Sequence, residues 1–187
     1  MMAMKYYEEK LRLSKNLEMD IWREANMVEI YGTSRYGLAF SAAKRGFHAA
    51  IFANIRRAGF FKELEPIIGK VDESMLSFFF KERRRRCAEL RVDEKRVDSI
   101  SQDLLEDTLK SNSVPVVLSN TEYFSAENVP HWIVVSGIDD KFLYFNNPLG
   151  RTAHQRIGLD SLNNVIGYKG DQCMISVSKS PRLASSR

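Results

Sequence analysis

The last third of the chain constrains the fold most. Val114 to Leu118 is apolar and of strand length, Asn120 to Pro130 is a loop, and His131 to Gly137 and Phe142 to Phe145 are two further strand-like runs. Asp139-Asp140 lies between those two runs, so they read as a hairpin. Leu159 to Val165 is expected to be a short helix and Cys173 to Val177 a last strand. Upstream, the apolar spacing changes to a helical one. Met1, Met4, Tyr7 and Leu11 mark one face of a helix over Met1 to Leu13, whose pattern opens at the first residue with no cap before it. Leu17, Ile21, Ala25 and Val28 mark a second helix, from Leu17 to Ile30, with Ser14 or Asn16 as cap. Helices first and an antiparallel sheet after them make an α+β fold.

Between these parts, Gly32-Thr33-Ser34 is a turn that can cap a helix over Arg35 to Arg45, and Gly46 suits its C-terminal turn. Phe47 to Ala53 reads as a strand, Ala58 to Gly69 as a short helix broken at Pro66, and Asp72 to Leu90 as a longer helix. Ser99 or Ser101 caps another helix that turns Leu104, Leu105 and Leu109 inward. No repeat or linker divides the chain, so residues 1–178 are expected to form one domain and 179–187 a disordered basic tail.

Composition narrows the class. With 187 residues, 44% hydrophobic and 28% charged, the chain has the material for one core, and a net charge of +4 is too small to name an anionic partner. No apolar run approaches the roughly 18 residues a membrane span needs, and the first residues lack the pattern of a secretory signal. A soluble, cytoplasmic protein is expected. Cys87 and Cys173 are far apart, and His48, His131 and His154 share no metal spacing, so neither a zinc site nor a disulfide framework is expected. No cofactor is expected either, since Gly32 and Gly37 lack the spacing and lysine of a phosphate loop. There is no G-x-S-x-G turn for a serine nucleophile.

The candidate chemistry lies at the ends of the hairpin. A turn centred near Asp139 pairs residues whose numbers sum to about 278, which sets His131 opposite Asn147, Ile133 opposite Phe145 and Val135 opposite Leu143. Opposed Cβ atoms lie roughly 4.5–5.5 Å apart. A carboxamide at that distance can hold one imidazole nitrogen and leave the other to accept a proton, the base and orienting group of a Cys-His-Asn triad. Spacing alone leaves a plainer alternative, in which His131 is a structural strand-start histidine and Asn146-Asn147-Pro148 merely ends a strand. His48 and His154 read as structural or solvated. Cys87 falls late in a helix and Cys173 in an apolar strand, where free cysteines are usually buried packing residues.

Arg83 to Arg86 form a basic run. Successive helical residues are about 100° apart, so four of them cannot make one stripe, and Glu73, Glu82 and Glu89 are near enough to pair with them. A solvated helix face accounts for the run better than nucleic-acid binding does. The neighbouring Phe78 to Phe80 are expected to enter the core.

The segment V-P-V-V-L, a loop, and H-W-I-V-V-S-G-I-D-D-K-F-L-Y-F-N-N-P-L-G resembles the C-terminal half of C39-like (bacteriocin-processing) cysteine peptidase domains, which have a papain-like fold. Tyr31 to Ala39, followed by Arg45-Gly46-Phe47, is similar to the middle of that family, and Ile21 to Ala25 to a helix of its bacterial and archaeal subgroup. The resemblance covers roughly residues 1 to 178. It implies that His131 is the general base and Asn147 the orienting residue, at a position where many relatives have aspartate. It also implies a cysteine at the start of the first long helix, in a Thr-Cys-Gly-Pro-like motif, where the helix terminus favours the thiolate. Met1 to Tyr6 resembles the stretch after that motif. The expectation is therefore an absent N-terminal segment, and no activity for the chain as given.

Three functions follow as expectations. The first is a peptidase or amide hydrolase that attacks a peptide or protein substrate, held extended across a cleft between the helical and sheet halves, with a thiolate supplied upstream. The second is a non-catalytic peptide-binding module on the same fold. The third, resting on the arginine run alone, is a nucleic-acid-associated protein.

Overall fold

The computed structural model describes residues 1–27, 30–54, 72–123, 128–148 and 154–179, together with Glu65 and Lys70. The expected helix over Ala58 to Gly69, apart from Glu65, and the expected tail from Ser180 lie outside the described residues.

The architecture is α+β, with helices on both faces of a seven-stranded sheet. The strands are β3 (Phe47–Ala53), β4 (Asp93–Arg96), β5 (Val114–Asn120), β6 (Pro130–Ile138), β7 (Phe142–Asn146), β8 (Gln155–Gly158) and β9 (Cys173–Lys179), in the order β4-β3-β9-β5-β6-β7-β8. All neighbours are antiparallel except β3 and β4. A separate two-stranded ribbon joins β1 (Asn26–Met27) to β2 (Ile30–Thr33). The helices are α1 (Met2–Tyr7), α2 (Lys15–Ala25), α3 (Arg35–Lys44), α4 (Glu73–Glu89), α5 (Gln102–Lys110) and α6 (Leu162–Val165).

Two apolar layers sandwich the sheet. On one face Met4, Tyr36, Ala39, Leu76 and Phe80 from the helices meet Ile51, Leu118, Ile175 and Val177. On the other, Leu105 and Leu162 meet Val117, Ile133, Val135, Phe145 and Met174. The split follows strand alternation: odd positions of β9 face α3 and Met174 faces α5. β9 and β5 lie mid-sheet and are almost wholly buried, so they read as apolar runs rather than alternating ones.

Side-chain caps set several helix starts. Ser14 accepts from the Leu17 N–H, Ser34 from Gly37, Asp72 from Ser74 and Met75, and Ser101 from Leu104. Two helices are shorter than their apolar spacing suggests. α1 stops at Tyr7, where Lys5 Nζ turns back onto the carbonyls of Glu9 and Leu11 and the Tyr7 hydroxyl donates to Asn112 O and Val177 O. α2 stops at Ala25 because the Ser34 N–H takes the Ala25 carbonyl and Asn26 enters β1. Gly37 permits this: a Cβ there would come within 2.5 Å of the Ala25 backbone.

α4 buries Leu76, Phe80 and Cys87 along one stripe. Of its three phenylalanines only Phe80 enters the core; Phe79 is half-buried and Phe78 is 66% exposed, as three consecutive helical positions must diverge. The arginines are engaged within the chain. Arg83 lies over the Phe40 and Phe79 rings, Arg84 pairs with Glu94, Arg85 with Glu82 and Glu89, and Arg86 with Glu82.

Candidate active site

The site is built on the β6–β7 hairpin. Asp139 sets the turn, its Oδ1 accepting from the N–H groups of Lys141 and Phe142 at 2.8 Å. Ile138 faces Leu143 and Gly137 faces Tyr144. A bulge at Ser136 then shifts the register, so that Val135 faces Phe145 and Val134 faces Asn146. The expected pairing is therefore corrected: Ile133 does not face Phe145, nor Val135 Leu143. The ladder ends at Asn146, and one further step would set Asn147 opposite Ile133, with His131 on the diagonal. The turn lies further along the chain than Asp139-Asp140, and the bulge takes back one residue of that offset.

The diagonal is within side-chain reach. His131 Nε2 lies 2.9 Å from Asn147 Oδ1. An amide oxygen accepts only, so Nε2 carries the proton and Nδ1 keeps its lone pair. Asn147 is 7% exposed and His131 is half-buried. Burial lowers the imidazole pKa from its ordinary value, while the hydrogen bond His131 donates to Asn147 pulls the other way. A neutral imidazole with a held N–H and a free lone pair can take a proton from an acidic group beside it.

Neighbouring residues brace the pair. The Trp132 indole N–H donates to Thr33 O at 3.1 Å, which ties the start of β6 to β2. Asn146 Oδ1 accepts from the His154 N–H at 3.1 Å, which ties the end of β7 to the residue before β8. His154 is exposed, in a left-handed turn, and His48 pairs with Asp93 at the β3–β4 edge. Neither histidine joins the site.

The cysteines stay apart from it. Cys87 is 3% exposed on α4, its thiol donating to Tyr36 O at 3.1 Å. Burial pushes that thiol's pKa up to about 12. Cys173 is 0% exposed and packs on the α3 side of β9, against the alternation of Ile133, Val135 and Phe145 that His131 and Asn147 follow. Burial pushes its pKa to about 12 as well, against the pull of Arg35. Neither thiol is a ready nucleophile.

A family model described as "Peptidase_C39 like family" matches residues 1–181. The chain belongs to the Peptidase_C39-like family. The match spans the helices and every strand of the sheet, and membership fits a papain-like fold. No curated protein matches the chain. Among the described residues, no three His, Cys, Asp or Glu side chains are grouped to hold a metal ion, and no helix is long and apolar enough to cross a membrane.

Ser119, Thr121 and Tyr168, which surround the approach to His131, carry no sequence signal. Their hydroxyls act on carbonyls brought near by the sheet, not on residues at a fixed spacing.

Proposed function

We propose that this C39-like chain is the base-bearing part of a cysteine peptidase or related amide hydrolase that acts on peptides. His131 is the general base, oriented by Asn147, and serves a thiolate that neither Cys87 nor Cys173 provides. The thiolate attacks the peptide carbonyl; the imidazole takes the thiol proton at Nδ1 and returns it to the leaving amine, and water then hydrolyses the acyl-enzyme. The observation that carries this reading is the 2.9 Å contact between His131 Nε2 and Asn147 Oδ1 in a half-buried pair. Residues 1–178 act as one domain of the bacterial and archaeal subgroup.

The test compares the chain as given with the product translated from any in-frame sequence upstream. The longer form is expected to gain a cysteine alkylated by iodoacetamide and to hydrolyse a peptide library, and His131→Ala is expected to abolish turnover. Hydrolysis that persists in His131→Ala sinks the reading.

A second reading, a peptide-binding module without turnover, is favoured by the sealed state of both thiols. Peptide binding by both forms, with no acyl-enzyme in mass spectra, would select it. The arginine run gives nucleic-acid binding no comparable support, because its charges are met by Glu82, Glu89 and Glu94 and by two aromatic rings.

A further inference from the structure

The backbone that delivers His131 is held in an unusual way. Three buried hydroxyls, two from the end of β5 and the residue after it and one from Tyr168, donate to carbonyls on the approach to the histidine. Tyr168 Oη donates to Asn128 O at 2.9 Å, Thr121 Oγ1 to Val129 O at 3.0 Å and Ser119 Oγ to His131 O at 3.1 Å. The Thr121 hydroxyl also accepts from the Val129 N–H at 2.9 Å. Exposure is 3% at Tyr168, 2% at Thr121 and 0% at Ser119.

Position gives these contacts their meaning. Pro130 opens β6 opposite Asn120 and has no N–H to give a ladder. The proline leaves a gap in the donors of the strand start, beside the backbone bond from the Thr121 N–H to Val129 O at 3.1 Å. The hydroxyls hold the residues on both sides of that gap. A Val, Ala or Phe at these sites would fill nearly the same volume, so packing alone does not call for oxygen atoms.

We propose that Ser119, Thr121 and Tyr168 are positioning residues that fix the start of β6 and thereby hold the His131 imidazole on Asn147. They touch no reacting atom. The inference deepens the reading of His131 and Asn147 as a working pair and rests on it.

The test is spectroscopic and needs no substrate. In the full chain, the ring nitrogens of His131 are followed by long-range 1H–15N NMR through a pH titration. The native protein is expected to show one tautomer, protonated at Nε2. The triple variant Ser119→Ala, Thr121→Val, Tyr168→Phe is expected to show averaged nitrogen shifts, as is Asn147→Ala, and a midpoint moved up as the ring escapes burial. A folded triple variant with native ring shifts overturns the proposal.

Should the triple variant not fold, Thr121→Val is compared with Thr121→Ser. Serine keeps the hydroxyl and is expected to keep the native tautomer, whereas valine loses it. Identical spectra for the two overturn the proposal. Absence of His131-dependent hydrolysis would sink the peptidase reading and leave this result intact, so the two failures are distinguishable.

Discussion

His131 joins the fold's energetics to its chemistry. Its proton affinity is lower folded than unfolded, because burial outweighs the Asn147 hydrogen bond. The unfolded chain therefore binds the extra proton first. The histidine's contribution is complete above the unfolded value, near 6.5, and is lost as pH falls through that value toward the lower folded one. Urea denaturation across this window should show stability falling with acid, and His131→Gln should flatten that slope. Asn147→Ala removes a buried hydrogen bond and should cost about 1 kcal/mol in the same assay. The two thiols make a third expectation at this scale. With both pKa values near 12, neither should react with iodoacetamide at neutral pH until denaturant is added, as mass spectrometry would record.

At the scale of elements, α2 and α3 meet with the backbone of Ala25 against Gly37. Gly37→Ala would drive a methyl into the Ala25 backbone and should destabilise the protein by about 1–3 kcal/mol, measured by chemical denaturation. The Arg35–Asp171 pair fastens the start of α3 to the turn before β9, with both side chains almost fully buried. Arg35→Ala strands a carboxylate in the core and should cost about 3–5 kcal/mol, while Arg35→Met with Asp171→Leu should recover most of that loss. Elements whose signal is local were legible in the sequence. β3 spans Phe47 to Ala53 as its apolar run indicates, and of Ser99 and Ser101 it is Ser101 that caps. β4 was not legible: Asp-Glu-Lys-Arg is wholly exposed and is a strand only because β3 offers it a ladder. β8 depends on β7 in the same way. The approach of His131 to Asn147 could be read from a hairpin, but its register could not, because a bulge is a compromise between turn and sheet that no single residue announces.

For the whole molecule, the order of strands predicts the order of opening. β9 and β5 are flanked on both sides and buried on both faces, whereas β4 and β8 are four-residue edges. Amide hydrogen exchange should be slowest in Val116, Val117 and Ile175 and fastest in β4 and β8. The charges along β4 leave that edge a poor template for another chain. Between these edges the two apolar layers share the sheet, and the family match extends across both layers.

The bulge at Ser136 sets which of two neighbours meets the carboxamide. Counting back from Ile138 in strict two-residue strides would land on Trp132; the extra residue changes the foot, and the count lands on His131 instead. Deleting Ser136 would straighten the ribbon and keep that footing. Adding one residue between Trp132 and Val135 would reverse it, presenting an indole to Asn147 and turning the imidazole toward the opposite apolar layer.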